Sequence, residues 1–178
     1  MNEVEFRVPD QLEEILGWRA WQVVGPEQTP RLASVTALSS AKRRDEVVDA
    51  IWPTARWFYA RCPHGHVEGV PVESCGCGLY AANSLEQLIA LGYGQYGGIE
   101  NKVVGQVGFA GKVIEGDQGW RAEKGRIVRL WIPFERWAAL GDRLAAAYDV
   151  PCEPAQWLNG KLTTLEDLAA RFAPPEGR

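Results

Sequence analysis

Between residues 60 and 81 the chain reads ARCPHGHVEGVPVESCGCGLYA. Three of its four cysteines and both of its histidines fall in the span Cys62–Cys77. A lone cysteine is often just a small buried hydrophobe. Clustered cysteine and histidine carry a different meaning. Thiolate and imidazole are the donors zinc prefers, and four of them close a tetrahedral structural site. The spacing is Cys62-x-His64-x-His66-x8-Cys75-x-Cys77. Five donors therefore compete for four places. Cys75 and Cys77 flank Gly76, which favours a tight turn that brings both sulfurs to one ion. Cys62 closes an expected strand. The fourth place goes to His66 or to His64, and His66 is preferred because its longer connection to Cys62 gives the loop room to wrap an ion. The expected zinc ligands are Cys62, His66, Cys75 and Cys77. Cys152 stands far off, after Pro151, and reads as an isolated thiol.

A catalytic metal is the competing reading. His66-Val67-Glu68 invites comparison with the H-x-E of zinc deaminases, whose glutamate shuttles protons beside a metal-bound water. That pattern also needs P-C-x-x-C, and here the pair reads SCGC. The two halves are moreover too close for the helix that normally separates them. No H-E-x-x-H, G-x-S-x-G or phosphate-cradling G-x-x-x-x-G-K occurs. With both histidines near the metal, acid–base work would fall to carboxylates such as Glu68 or Glu73.

A second feature is a repeat. GWRAW at 17–21 returns as GWRAE at 119–123. If both copies are strands, Trp18 and Ala20 share one face while Arg19 and Trp21 share the other. In the second copy Trp120 and Ala122 oppose Arg121 and Glu123. One reading makes the indoles core, with the arginines stacked on them or paired with carboxylates such as Glu123. The other makes Trp18, Arg19, Trp21, Trp120, Arg121 and Glu123 a ligand-binding surface, suited to stacking a single-stranded or flipped base.

Hydrophobic patterning supplies the frame. GWRAWQVVG (17–25) and RLASVTAL (31–38) read as a hairpin. ARWFYARC (55–62) and CGLYAA (77–82) read as strands flanking the cluster. QLEEIL reads as a short helical turn at best, and SSAKRRDEVVDA (39–50) as a helix or a loop. NSLEQLIALGYG carries a helix with Ser84 as N-cap, Gln87 completing a capping box and Gly92 as the stop. The region 97–132 is the longest β-like stretch, turning at EGDQG, with Gly105, Gly108 and Gly111 marking bulges or close approach. Pro133 opens an amphipathic helix. DVPCEPAQWLNGK reads as loop, and TTLEDLAARF as a terminal helix with Thr164 and Asp167 as a capping pair. The expected fold is α+β: a mainly antiparallel small sheet or partly open barrel, a zinc-stapled loop and C-terminal helices. Residues 1–150 form one zinc-stabilised domain, and 151–178 a loop, helix and tail packed on it.

Composition narrows the class. With 46% hydrophobic residues and eight tryptophans the chain can bury a core. A net charge of −4 argues against broad phosphate gripping and leaves room for a local basic patch. No signal-like N-terminus or membrane-length apolar run is present, so a cytoplasmic protein with reduced thiols is expected.

The set GWRAW, C…H…CxCGLYA and VVGQVGFAGKVIEGDQGWRAE resembles a group of bacterial and phage-associated proteins with no assigned activity. The resemblance spans residues 17 to about 130. It implies that the cluster and both pentapeptides belong to one module. The glycine-punctuated β region flanked by helices is also similar to the PUA-like barrels that read modified bases. The functional expectation is a zinc-binding, non-enzymatic module for a ligand or nucleic acid, a modified base included. The alternatives are a small zinc-dependent hydrolase or deaminase-like enzyme and a protein-interaction adaptor.

Overall fold

The computed structural model describes residues 4–8, 14–35, 50–54, 56–67, 69–93, 102–158, 161–164 and 166–167. Its spine is a long hairpin of β6 (Val103–Gly116) and β7 (Gly119–Pro133), turning where EGDQG predicts. β6 carries β1 (Val4–Val8) and β2 (Ile15–Val24) along its other edge. β7 carries β5 (Leu79–Ala82), β4 (Phe58–Tyr59) and β8 (Cys152–Leu158) in succession along its own. β3 (Arg31–Ser34) makes the expected hairpin with β2, and β9 (Lys161–Thr164) closes on β8. The pairings β2–β6, β6–β7, β7–β5 and β5–β2 close a ring of four strands. The sheet is mainly antiparallel but mixed, because β8 runs parallel to β7.

The glycine positions in β6 do what their spacing predicts. The register slips between Gln106 and Val107 and again between Ala110 and Val113. A Cβ on Gly105 would stand 2.2 Å from the Arg129 carbonyl oxygen, so only glycine lets β7 approach there. Gly111 takes φ +76° at the second slip.

Two helices lie beside the sheet among the described residues. α1 (Leu85–Leu88) starts at Ser84, whose hydroxyl accepts from the Gln87 N–H. It widens into a turn over Ile89–Tyr93 that breaks at Gly92, φ +85°. α2 (Phe134–Tyr148) follows Pro133 directly and buries Leu140, Leu144 and Tyr148. Its Tyr148 phenol accepts from the Leu32 N–H and donates to the Trp52 carbonyl, tying helix to sheet. The main core gathers Trp21, Leu32, Trp52, Phe109, Leu130, Ile132 and Leu144. A smaller cluster of Ala20, Ala82, Leu88 and Val104, with Trp18 packed on it, seats α1.

Three readings of the sequence are corrected. The segment expected as loop, DVPCEPAQWLNGK, supplies β8. Ile15 and Leu16, read as part of a helical turn, begin β2. Thr163 and Thr164, read as the start of a terminal helix, end β9. Thr164 and Asp167 do bond reciprocally, as a capping pair would. Residues 39–49, expected as helix or loop, lie outside the described residues, as does most of the terminal segment. No helix among the described residues is long and apolar enough to cross a membrane.

Candidate metal centre and the cleft beside it

The loop between β4 and β5 is shaped by short-range bonds. The Ala60 N–H donates to the Glu123 carbonyl, which holds the chain to β7 two residues before Cys62. Gly65, at φ +85°, returns its N–H to the Cys62 carbonyl and swings His66 back over Cys62. The Cys75 N–H donates to the Val72 carbonyl in a second turn. Gly78, at φ +130°, then leads into β5. Gly78, rather than Gly76, takes the left-handed conformation at this turn.

These turns bring Cys62, His66, Cys75 and Cys77 together, with one ligand atom from each lying within 4.8 Å of all the others. Cys62 Sγ is 3.7 Å from Cys75 Sγ and 3.1 Å from His66 Nδ1. Two sulfurs at ordinary zinc distances on a tetrahedron stand about 3.8 Å apart, so the sulfur pair matches the shape of an ion site. A disulfide would need about 2.05 Å, and all four cysteines are free. His64 is outside the set. Its backbone N–H donates to Cys62 Sγ, while the Val72 N–H donates to Cys77 Sγ. Such N–H groups stabilise negative sulfur. Desolvation raises the Cys62 thiol, but the backbone N–H groups of His66 and His64, with the thiols of Cys75 and Cys77, outweigh it and bring it to about 6. Burial holds Cys75 up. Cys152 lies apart on β8, where burial pushes its thiol up to about 12. It is outside the cluster, and a thiol held protonated is a poor nucleophile and metal ligand.

The repeated pentapeptide flanks the strand that leaves this loop. β5 pairs with the first copy at Trp18↔Ala82 and with the second at Ala81↔Trp120. Both glycines are closed upon it. A Cβ on Gly17 would stand 2.5 Å from Ala81 Cβ, and one on Gly119 would stand 2.0 Å from the Ala81 carbonyl oxygen. Both arginines are buried, and both donate to backbone carbonyls of the loop or of β5. Arg121 Nη1 reaches Cys75 O at 2.5 Å, Cys77 O at 3.1 Å and Val72 O at 3.2 Å. Arg19 donates to Tyr80 O and, at 2.8 Å, to Ser34 Oγ. Its guanidinium lies over Trp52.

The six residues read as a ligand surface are therefore not presented as one surface. Trp21 is fully buried and edge-on to Trp52, so its indole offers no face to a ligand. Glu123 accepts from the Lys112 N–H across the bulge at Gly111 rather than pairing with an arginine. Trp18 is half-buried and stacks on Trp131, and Trp120 is half-buried against the main core.

Trp18, Arg19, Trp120 and Arg121 do line one open cleft of about 2060 Å³, with Cys62 and Cys75 on its wall. Its remaining lining includes Arg56, Phe58, Tyr59, Arg61, Tyr80 and Lys102. Sequence reasoning passed over Tyr59 and Tyr80, treating ARWFYARC and CGLYAA as ordinary strands. Arginines bracketing an aromatic run were the available signal. No protein-family model, curated protein or solved structure matches this chain. Its chemistry has to be argued from the site. Glu73, one of the two carboxylates considered for acid–base work, is exposed and engages Arg121 through its backbone carbonyl. Glu68, the other, lies outside the described residues.

Proposed function

We propose that this chain is a zinc-stapled, non-enzymatic binding module. One ion is held by Cys62, His66, Cys75 and Cys77, and a ligand is accommodated in the cleft that the metal loop borders. The observation that carries the reading is the convergence of these four ligand atoms within 4.8 Å of one another. Three sulfurs and one imidazole favour zinc over the hard cations, which seek oxygen. Four protein donors complete a tetrahedron and leave no position for a reacting water, so the ion acts as a cross-link. Bound zinc supplies folding free energy, because the site does not exist in the unfolded chain. Arg121 carries that constraint outward: it bonds four carbonyls of the metal loop and lines the cleft.

The test is elemental analysis of protein purified without added metal, followed by melting with and without a strong chelator. About one zinc per chain is expected, with a large fall in melting temperature on chelation. Cys75→Ser and Cys77→Ser should reproduce that fall or give insoluble protein. Substoichiometric metal together with an unchanged melting curve in chelator would falsify the staple.

A further inference from the structure

We propose that the cleft takes single-stranded nucleic acid, and that Tyr59, Tyr80, Arg56 and Arg61 make the contacts rather than the repeated pentapeptide. The proposal rests on the binding-module reading and adds the class of ligand. Among the described residues five large apolar side chains are exposed, and three of them, Tyr59, Tyr80 and Leu91, line this one cleft. Tyr59 is 55% exposed and Tyr80 46%. Scattered exposed side chains need no explanation, but a concentration of them in a concavity marks a recognition surface.

Charge follows the same pattern. Among the described residues the cleft lining holds five cationic side chains and two carboxylates, Glu73 and Asp117, in a chain whose net charge is −4. That local excess of cations favours an anionic ligand in this concavity. Arg19 and Arg121 spend their guanidinium groups on backbone carbonyls. Arg56 and Arg61 line the cleft and are both exposed, on either side of Tyr59 in the run Arg56-Trp57-Phe58-Tyr59-Ala60-Arg61, where a phosphate backbone could reach them. Cations tracking a backbone beside aromatic platforms are how proteins hold single strands, because every base has a face to stack. A duplex keeps those faces inside and offers a ring nothing to stack on.

Tyr80 also connects this surface to the metal loop. Its phenol donates to the Gly76 carbonyl at 2.6 Å, between the ligands Cys75 and Cys77. The loop thus fixes the orientation of a ring that the ligand would meet.

The experiment is fluorescence anisotropy of a labelled short oligothymidylate with the metal-loaded protein. Competitors are the matching duplex and inorganic polyphosphate, and metal content is measured by native mass spectrometry on every sample. The strand should bind, with duplex and polyphosphate competing at least about tenfold more weakly. Tyr59→Ala and Tyr80→Ala should each weaken binding roughly five- to hundredfold, while Tyr59→Phe keeps it. Arg56→Ala and Arg61→Ala should each flatten the salt dependence, by about 0.7 in the log–log slope. Should Tyr80→Ala not fold, the Tyr59 pair and the two arginine variants still decide. Metal-loaded protein that ignores the strand overturns this ligand and leaves the staple standing. Folded, metal-free protein that binds it supports the ligand and sinks the staple. Displacement by polyphosphate, with alanine variants binding like the parent, overturns stacking.

Discussion

The two copies of Gly-Trp-Arg-Ala share a sequence and both of their strand neighbours, β5 and β6, yet differ in what packs on them. In the first copy Trp18 and Ala20 belong to the small cluster under α1. In the second, Trp120 and Ala122 belong to the main core. The arginines hold different points of the same segment: Arg121 the metal loop itself, Arg19 the strand just after it. The fifth residue differs most, with Trp21 filling the core and Glu123 satisfying a bulge. The common element is therefore a bracket, in which glycine admits β5 closely and arginine reaches across to carbonyls of β5 or of the loop before it. What each indole and fifth residue does depends on which layer the copy faces.

The largest effect is expected at the fifth position. Trp21→Ala should cost about 3–5 kcal/mol, the range for deleting a fully buried large aromatic, as read by denaturant unfolding. A loss under about 1 kcal/mol would mean that Trp21 is not core. Next come the glycines. Gly119→Ala drives a Cβ into a backbone oxygen, whereas Gly17→Ala meets another Cβ. Both should destabilise by about 1–3 kcal/mol, with Gly119→Ala the worse because backbone cannot rotate away. The reverse order would show that the bracket closes from the first copy.

The two arginines differ in their link to the cysteine loop. Arg121→Met keeps the bulk but leaves four loop carbonyls without this donor, and should weaken zinc binding about 10–100-fold. Arg19→Met should change zinc affinity less than about threefold while still lowering stability. Competition with a chromophoric chelator measures both. Equal losses would mean that both copies support the ion alike. The smallest effect is expected for Glu123→Ala, about 1 kcal/mol for the acceptor lost to the Lys112 N–H, with metal affinity unchanged.

The legible parts of this molecule were local. The β2–β3 hairpin, the β6–β7 hairpin, the Ser84 cap and the Cys-His cluster each announce themselves within a few residues. β8 escaped because Pro151 and Pro154 read as loop. Among the described residues the pairing of β8 with β9 runs from Ala155 to Leu158, so Pro154 stands at its margin, where a missing N–H is tolerated. The ring of strands closes through a single residue pair between β2 and β5, and no local pattern encodes that. The repeat was visible as letters, but its use was not. Whether an arginine meets a carboxylate, a ring or a carbonyl is decided by register between strands far apart in the chain.

The contact between Arg121 and the metal loop also has an order in time. The Cys75 carbonyl and the guanidinium it accepts from are 46 residues apart, and the cysteine comes first. A chain made from its N-terminus at about 5–20 residues per second presents all four sulfur and nitrogen donors seconds before β7 exists. An ion captured then would meet a floppy chelate, and the later strand would lock it. Synthesis thus runs from ligand to scaffold, opposite to the order in which a finished protein is usually loaded.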